Sequence, residues 1–179
     1  MTSSPTRRGW LYGSVAAVAA AAGIGGAWWK QQRPGGGGSA EKLDSAFWAL
    51  RFERPEGGEV TFESLRGKPL LINFWATWCP PCVEEMPMID AFFRENSGNG
   101  WQVVGLAIDQ PSAVRKFLAR TPVSYPIGLA GLQGTELVKQ MGNTAGGLPF
   151  TLVVDSGGSV AARKMGKLDA ADLQTWRRA

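Results

Sequence analysis

The stretch from Asn73 to Glu85 reads NFWATWCPPCVEE, and it holds both cysteines of the 179-residue chain, Cys79 and Cys82. Upstream, Lys68 to Ala76 (KPLLINFWA) is a nearly continuous apolar run, as expected of a central strand covered on both faces. Downstream, Met86, Ile89 and Phe93 recur at helical spacing, which predicts a helix from Cys79 to about Phe93. A strand that passes into a helix through a turn carrying the thiols sets the first sulfur at a helix N-terminus. There, unpaired N–H groups and the macrodipole favour an anion. Cys79 is therefore the candidate nucleophile, accessible to a partner. Cys82, nearly one turn further in, is the more deeply buried candidate resolving thiol.

Three roles compete for a C-x-x-C pair. A closed structural zinc site needs about four ligands, and the chain has no histidine and no third cysteine. A structural staple stabilises mainly by closing a long loop, and this loop is very short. Reversible redox exchange suits the spacing: one thiolate attacks a partner's disulfide, and its neighbour resolves the mixed disulfide. Pro80 and Pro81 fall in the first helical turn, where N–H groups lack intrahelical partners, so their missing donors cost the helix little. Neither can donate a hydrogen bond to the Cys79 thiolate. A moderately stabilised thiolate follows, and with it a dithiol that is more reductant than strong oxidant. No metal and no cofactor beyond the Cys79–Cys82 pair is expected.

Phe47 to Phe52 and Glu59 to Leu65 are short alternating segments around the turn-forming ERPEGG, and they predict a β-hairpin. Gly100 to Asp109 predicts a second buried strand and Ser112 to Arg120 a second helix. Strand, helix, strand, helix implies a parallel pair with a right-handed crossover. Thr135 to Gly142 predicts a short helix, and Pro149 to Asp155 a strand. Ser159 to Gly166 is its hairpin partner across Ser156-Gly157-Gly158, and Asp169 caps a last helix through Trp176. The expected class is α/β, a mixed central sheet flanked by helices with an N-terminal hairpin extension, over residues 41–179.

The formal charge of +4 belongs to the start of the chain. Arg7, Arg8, Lys30 and Arg33 precede Ala40 without an acidic residue, and of the nineteen basic residues the remaining fifteen balance fifteen acidic ones. A balanced domain gives no reason to expect a nucleic-acid partner. Residues 1–9 form a basic segment in which TRRGWL resembles a twin-arginine export signal. Residues 10–29 carry no formal charge and match the ~20 residues a helix needs to cross a bilayer. Trp10, Tyr12, Trp28 and Trp29 mark the two ends, as amphipathic rings do at membrane interfaces. Residues 10–29 are thus a membrane anchor or, given the small residues around Ala20 to Ala27, a cleaved signal. The linker over residues 30–40 contains four consecutive glycines and spans roughly 18 Å as a random coil. Either alternative puts the domain outside the cytoplasm, tethered to an inner membrane or exported and soluble.

NFWATWCPPC, together with GLPFTLVVD at Gly147 to Asp155, resembles the thioredoxin superfamily and its membrane-tethered TlpA/ResA-like branch, over roughly Phe47 to Trp176. The resemblance implies a thioredoxin fold and a cis Leu148–Pro149 bond facing the dithiol. It implies a kinking proline at Pro87 and an exposed aromatic at Trp78. Leu148 would offer backbone groups to an extended substrate peptide. Glu85 matches a glutamate that this branch uses near its dithiol, where a carboxylate assists proton transfer; a solvated helix-face glutamate is the alternative, and Glu84 is read as surface. Asn73 stands where general thioredoxins carry a buried aspartate, and Gly105 where they often carry a lysine. Those departures imply a dedicated reductant of disulfides in exported proteins, recharged by a membrane electron donor. Targets by analogy are apocytochrome c thiols or copper-site cysteines. Competing readings are a thiol peroxidase, disfavoured because Ala76 replaces the threonine of that pattern, and a Cu(I)-handling module that uses the dithiol as a soft ligand pair.

Overall fold

A computed structural model describes residues 41–177. Both the expected anchor at 10–29 and the linker at 30–40 lie outside the described residues. A five-stranded mixed sheet has the order β5-β4-β3-β6-β7. At its centre is β3 (Leu70–Trp75), every residue of which is buried. β4 (Gln102–Ala107) pairs parallel with β3, and β5 (Ile127–Leu129) parallel with β4. On the other side, β6 (Phe150–Val154) and β7 (Val160–Met165) extend the sheet antiparallel.

Alternation along β3 divides the core in two. Leu70, Ile72 and Phe74 face a cluster with Val104, Leu106, Phe150 and Leu152. Leu71 and Trp75 face the other way, against Cys82, Met86 and Ile89 of the long helix α2 (Pro80–Asn96). Pro87 lies inside α2 and withholds the N–H that Val83 would otherwise accept, yet the helix continues to Asn96. After α2 come the helices α3 (Pro111–Leu118), α4 (Gly134–Gln140) and α5 (Ala170–Trp176). α5 starts at Asp169 with a reciprocal capping box to Asp172.

The N-terminal hairpin is shorter than the alternation predicts. Ser45–Trp48 is a helical turn, α1, capped where Phe47 N–H donates to Asp44 Oδ1 at 2.9 Å. Only Arg51–Glu53 (β1) and Glu59–Thr61 (β2) pair as strands, and Phe62–Leu65 forms a 3-10 turn. The cause is packing. Phe47 and Trp48 are adjacent and both buried, and Phe62 and Leu65 are three apart and both buried; a strand would send alternate side chains to solvent, whereas helical turns deliver both inward. Phe47 and Phe62 meet edge to face at 5.2 Å between ring centroids. The extension closes on the sheet at Gly128 of β5, where an added Cβ would come within 2.8 Å of Phe52 Cβ.

Gly105, which pairs with Asn73 across β3 and β4, is equally tight. A Cβ there would meet Ile127 Cδ1 at 2.6 Å, Tyr125 Cε2 at 3.1 Å and the Trp75 indole nitrogen at 3.2 Å. A lysine at this position has no room. Gly105→Ala is therefore expected to destabilise the domain by about 1–3 kcal/mol through overpacking. Gly98→Ala, where nothing lies within 4 Å, should stay within about 0.5 kcal/mol of the parent. Denaturant unfolding of both variants checks the contrast, and equal midpoints would refute it.

Candidate active site

Cys79 is the N-cap of α2, with φ −102° and ψ 99°, and Pro80 and Pro81 are its first two helical residues. Cys79 N–H donates to Ala76 O at 3.2 Å, and Val83 N–H donates to Cys79 O at 3.2 Å. Since neither proline has a donor, the Cys82 N–H alone remains of the first turn without an intrahelical acceptor. The expected anion-stabilising field at Cys79 thus comes from the helix as a whole and one amide rather than from three.

Cys79 and Cys82 form a disulfide with their Cα atoms 5.3 Å apart. Cys79 is 4% exposed and Cys82 fully buried. The expected ranking therefore holds by a small margin, and the expected openness of the first sulfur does not: in the oxidised form Cys79 is itself a buried residue. Its neighbours make the surface, since Trp78 is 66% exposed and Pro80 is exposed. The chain leading to Cys79 is pinned from the segment just after β4. Asp109 Oδ2 accepts from Thr77 N–H at 2.9 Å and from Thr77 Oγ1 at 2.5 Å. Asp109 Oδ1 accepts from Gln110 N–H at 2.7 Å, so one carboxylate ties the dithiol turn to the start of α3.

The Leu148–Pro149 bond is cis, as the resemblance implies. Pro149 is buried, and the half-buried Leu148 packs against the cluster that contains both cysteines. Gly166 N–H donates to Pro149 O at 2.9 Å, which fastens the end of β7 beside this turn. Met165, opposite Phe150, is exposed there.

Glu85 is not a solvated helix-face residue. It is 1% exposed, three positions after Cys82 and hence on the same face of α2. Its Oε1 accepts from Asn73 Nδ2 at 2.7 Å and its Oε2 from Leu168 N–H at 2.7 Å. Burial raises its pKa, against the opposing pull of Leu168, Asn73 and Lys167. The carboxyl that Asn73 lacks is thus supplied to the same neighbourhood by the helix. Glu84, next in sequence, is exposed and pairs with Lys167 at 2.5 Å. These two glutamates hold the loop after β7 onto α2, one at the surface and one inside. Asn73, Thr151, Asp109 and Leu168 were not singled out as a network from sequence. The available signals were a polar residue inside an otherwise apolar strand and an acid at a strand end before a proline-started helix. Among the described residues, no group of three or more His, Cys, Asp or Glu side chains is placed to hold a metal.

An oxidised C-x-x-C pair at a helix start, on a sheet of this order beside a cis-proline, defines a thioredoxin-fold thiol–disulfide oxidoreductase. The Redoxin family profile matches residues 44–175, and the chain belongs to that family. It is similar to the thiol-disulfide oxidoreductase ResA of Bacillus cereus, 28% identical over 120 residues, covering 66% of this chain and 67% of that protein. ResA of Geobacillus thermodenitrificans is 29% identical over 120 residues, with the same coverage. A thiol:disulfide interchange protein of the thioredoxin family from Chlorobium tepidum TLS superposes with a TM-score of 0.67 at 25% identity, over 79% of this chain and 97% of that one. A thioredoxin-related protein from Neisseria meningitidis serogroup B gives 0.62 at 29% identity, over 73% and 100%.

The raised Glu85 pKa fixes the sign of a pH effect. Below the ordinary value of 4.5 the side chain is protonated in folded and unfolded chains alike, and its contribution to stability is fully present. As pH rises, the unfolded chain releases the proton first, so the contribution is lost through the folded value. Asp90 and Asp172 run the other way. Burial raises both, but Ser124 bonds outweigh it for Asp90, and the Asp169 N–H and Lys164 do so for Asp172, so their contributions fade only as pH falls below 3.8. Between pH 4.5 and 8 the melting temperature of the parent is therefore expected to fall relative to that of Glu85→Gln; parallel curves would contradict it.

Proposed function

We propose that the chain is an extracytoplasmic thiol–disulfide oxidoreductase working in the reducing direction on disulfides of exported proteins. The observation that carries this is the position of Cys79 as the N-cap of a helix whose first two residues are prolines. The sulfur is activated by the helix start, while the prolines withhold two of the donors that would stabilise its thiolate further. Leader order supports the compartment: basic residues, an uncharged span at 10–29, then a glycine-rich linker. The ResA relatives, named thiol-disulfide oxidoreductases, support the chemistry.

In the reduced chain, the Cys79 thiolate attacks one sulfur of the partner's disulfide. That S–S bond breaks, a mixed disulfide forms, and the first partner thiolate leaves and takes up a proton. Glu85, on the same helix face as Cys82, accepts the Cys82 proton. The Cys82 thiolate then attacks Cys79 Sγ, forming the Cys79–Cys82 disulfide and releasing the second partner thiolate. Two electrons pass from the dithiol to the partner, and a membrane electron donor restores the dithiol. Exposed Trp78, next to Cys79 in the chain, and Leu148, packed on the cluster that holds both cysteines, would seat an extended peptide, with Pro149 shaping the turn. Apocytochrome c and copper-site thiols fit as partners by analogy with the branch this chain resembles.

In cells, Cys82→Ser is expected to accumulate mixed disulfides on Cys79, and Cys79→Ser to accumulate few. Equal trapping by the two variants would overturn the assignment of attacking and resolving sulfurs. For direction, titration of Cys79 in the reduced chain should give a pKa well above the ~3.5 of the most oxidising members of this chemistry; a value at or below it would make the domain an oxidant.

A further inference from the structure

Four segments distant in sequence meet at one carboxylate. Asn73 sits at the middle of β3, fully buried, on the face turned toward α2. Both hydrogens of its amide are in use. One goes to Glu85 Oε1 at 2.7 Å, and the other to Thr151 Oγ1 at 3.1 Å, directly across the β3–β6 ladder. The second oxygen of Glu85 is taken by Leu168 N–H from the loop after β7. Donors on separate oxygens fix the plane of the carboxylate, and Thr151 gives the amide nitrogen a second partner. Stability alone does not call for this arrangement, because a well-packed apolar pair at a buried polar contact is commonly as stable.

We propose that Asn73 is a positioning residue for the dithiol reaction: anchored on Thr151, its amide holds Oε1 of Glu85 so that the carboxylate keeps one orientation on the helix face it shares with Cys82. The proposal rests on Glu85 being the acceptor of the Cys82 proton. A charge-assisted bond also favours the ionised carboxylate over its acid, so Asn73 offsets part of the upward push that burial gives the Glu85 pKa. The other charged and titratable groups around Glu85 are the two cysteines and Glu84 on α2, Lys167 on the loop, Asp172 on α5 with its partner Lys164 on β7, and the buried Tyr125 before β5. Asp90, further along α2, is occupied by Ser124. Substituting Asn73 removes none of these.

The test uses the full chain in its reduced form and two readouts across pH. Carboxyl carbon resonances titrate Glu85 directly. An aromatic disulfide, 5,5′-dithiobis(2-nitrobenzoate), reports the resolving step, because Cys79 releases the first thionitrobenzoate and Cys82 the second. In Asn73→Ala, the ratio of protonated to ionised Glu85 at a given pH is expected to rise about tenfold, and the acidic limb of the second release to move with it. Asn73→Asp preserves the shape and covers the case in which the alanine variant does not fold. It places a second carboxyl at the Glu85 contact, so the pair shares a proton and the limb moves to higher pH. An unchanged Glu85 titration in the variants overturns the role of Asn73 alone. A shifted titration with an unshifted limb overturns Glu85 as proton acceptor, and with it the catalytic meaning of the contact.

Discussion

A polar side chain in the middle of a strand buried on both faces must find its partners inside the protein, since an unpaired buried amide costs about 1–3 kcal/mol. The Asn73 amide nitrogen meets that constraint with Glu85 and Thr151, while its Oδ1 stays without a hydrogen-bond partner. The consequence extends beyond one residue. Glu85 belongs to α2, Thr151 to β6, and Leu168, the other donor to Glu85, to the loop that follows β7. The register of the sheet, the rotation of α2 about its axis and the docking of that loop are therefore tied to the same few atoms. Cys82 inherits its burial from that rotation, because it lies three residues before Glu85 on the same face.

The dithiol end is held by separate means. Asp109 clamps Thr77, two residues before Cys79, and the ladder bond from Ile108 N–H to Trp75 O at 2.8 Å closes the β3 end just before the turn. The first cysteine thus stands between a fixed strand end and a fixed helix start, which is what a nucleophile on a rigid scaffold requires. Pro80 and Pro81 then act twice. Their fixed φ suits the first helical turn, and their missing N–H groups leave Cys79 with little beyond the helix field. Local structure and thiolate energetics are set by the same two residues.

Where one physical cause dominates, the sequence is legible. Continuous apolar runs marked β3, β4 and β6, helical spacing after Cys79 marked α2, and Asp169 marked the start of α5. The hairpin extension was less so, because Phe47, Trp48, Phe62 and Leu65 alternate loosely enough to pass for strands while tertiary packing turns both segments into helical turns. β5 went unmarked: three residues with a glycine at the centre carry almost no periodicity, and Gly128 is there for the approach of Phe52 rather than for strand formation. At the site, the cysteines and the cis-proline position were visible as motifs. The Asn73–Glu85 contact was not, since it joins positions twelve apart through a sheet-to-helix packing that no spacing rule encodes.

Asn73 in place of a buried aspartate reads, in isolation, as the loss of an acid–base group. In three dimensions it is closer to a transfer of that group from strand to helix. An aspartate at position 73 would face Glu85 across a 2.7 Å contact, and two carboxylates at that distance cannot both ionise. With Glu85 on the helix, an amide on the strand leaves a single carboxyl on the face of α2 that Cys82 shares and supplies it with a donor. The acid's location also changes its coupling. On α2 it is fastened to the loop at Leu168, next to the surface pair of Lys167 with Glu84. A change in the charge of Glu85 therefore acts directly on the segment that leads from β7, fastened at Gly166 to Pro149 O, into α5.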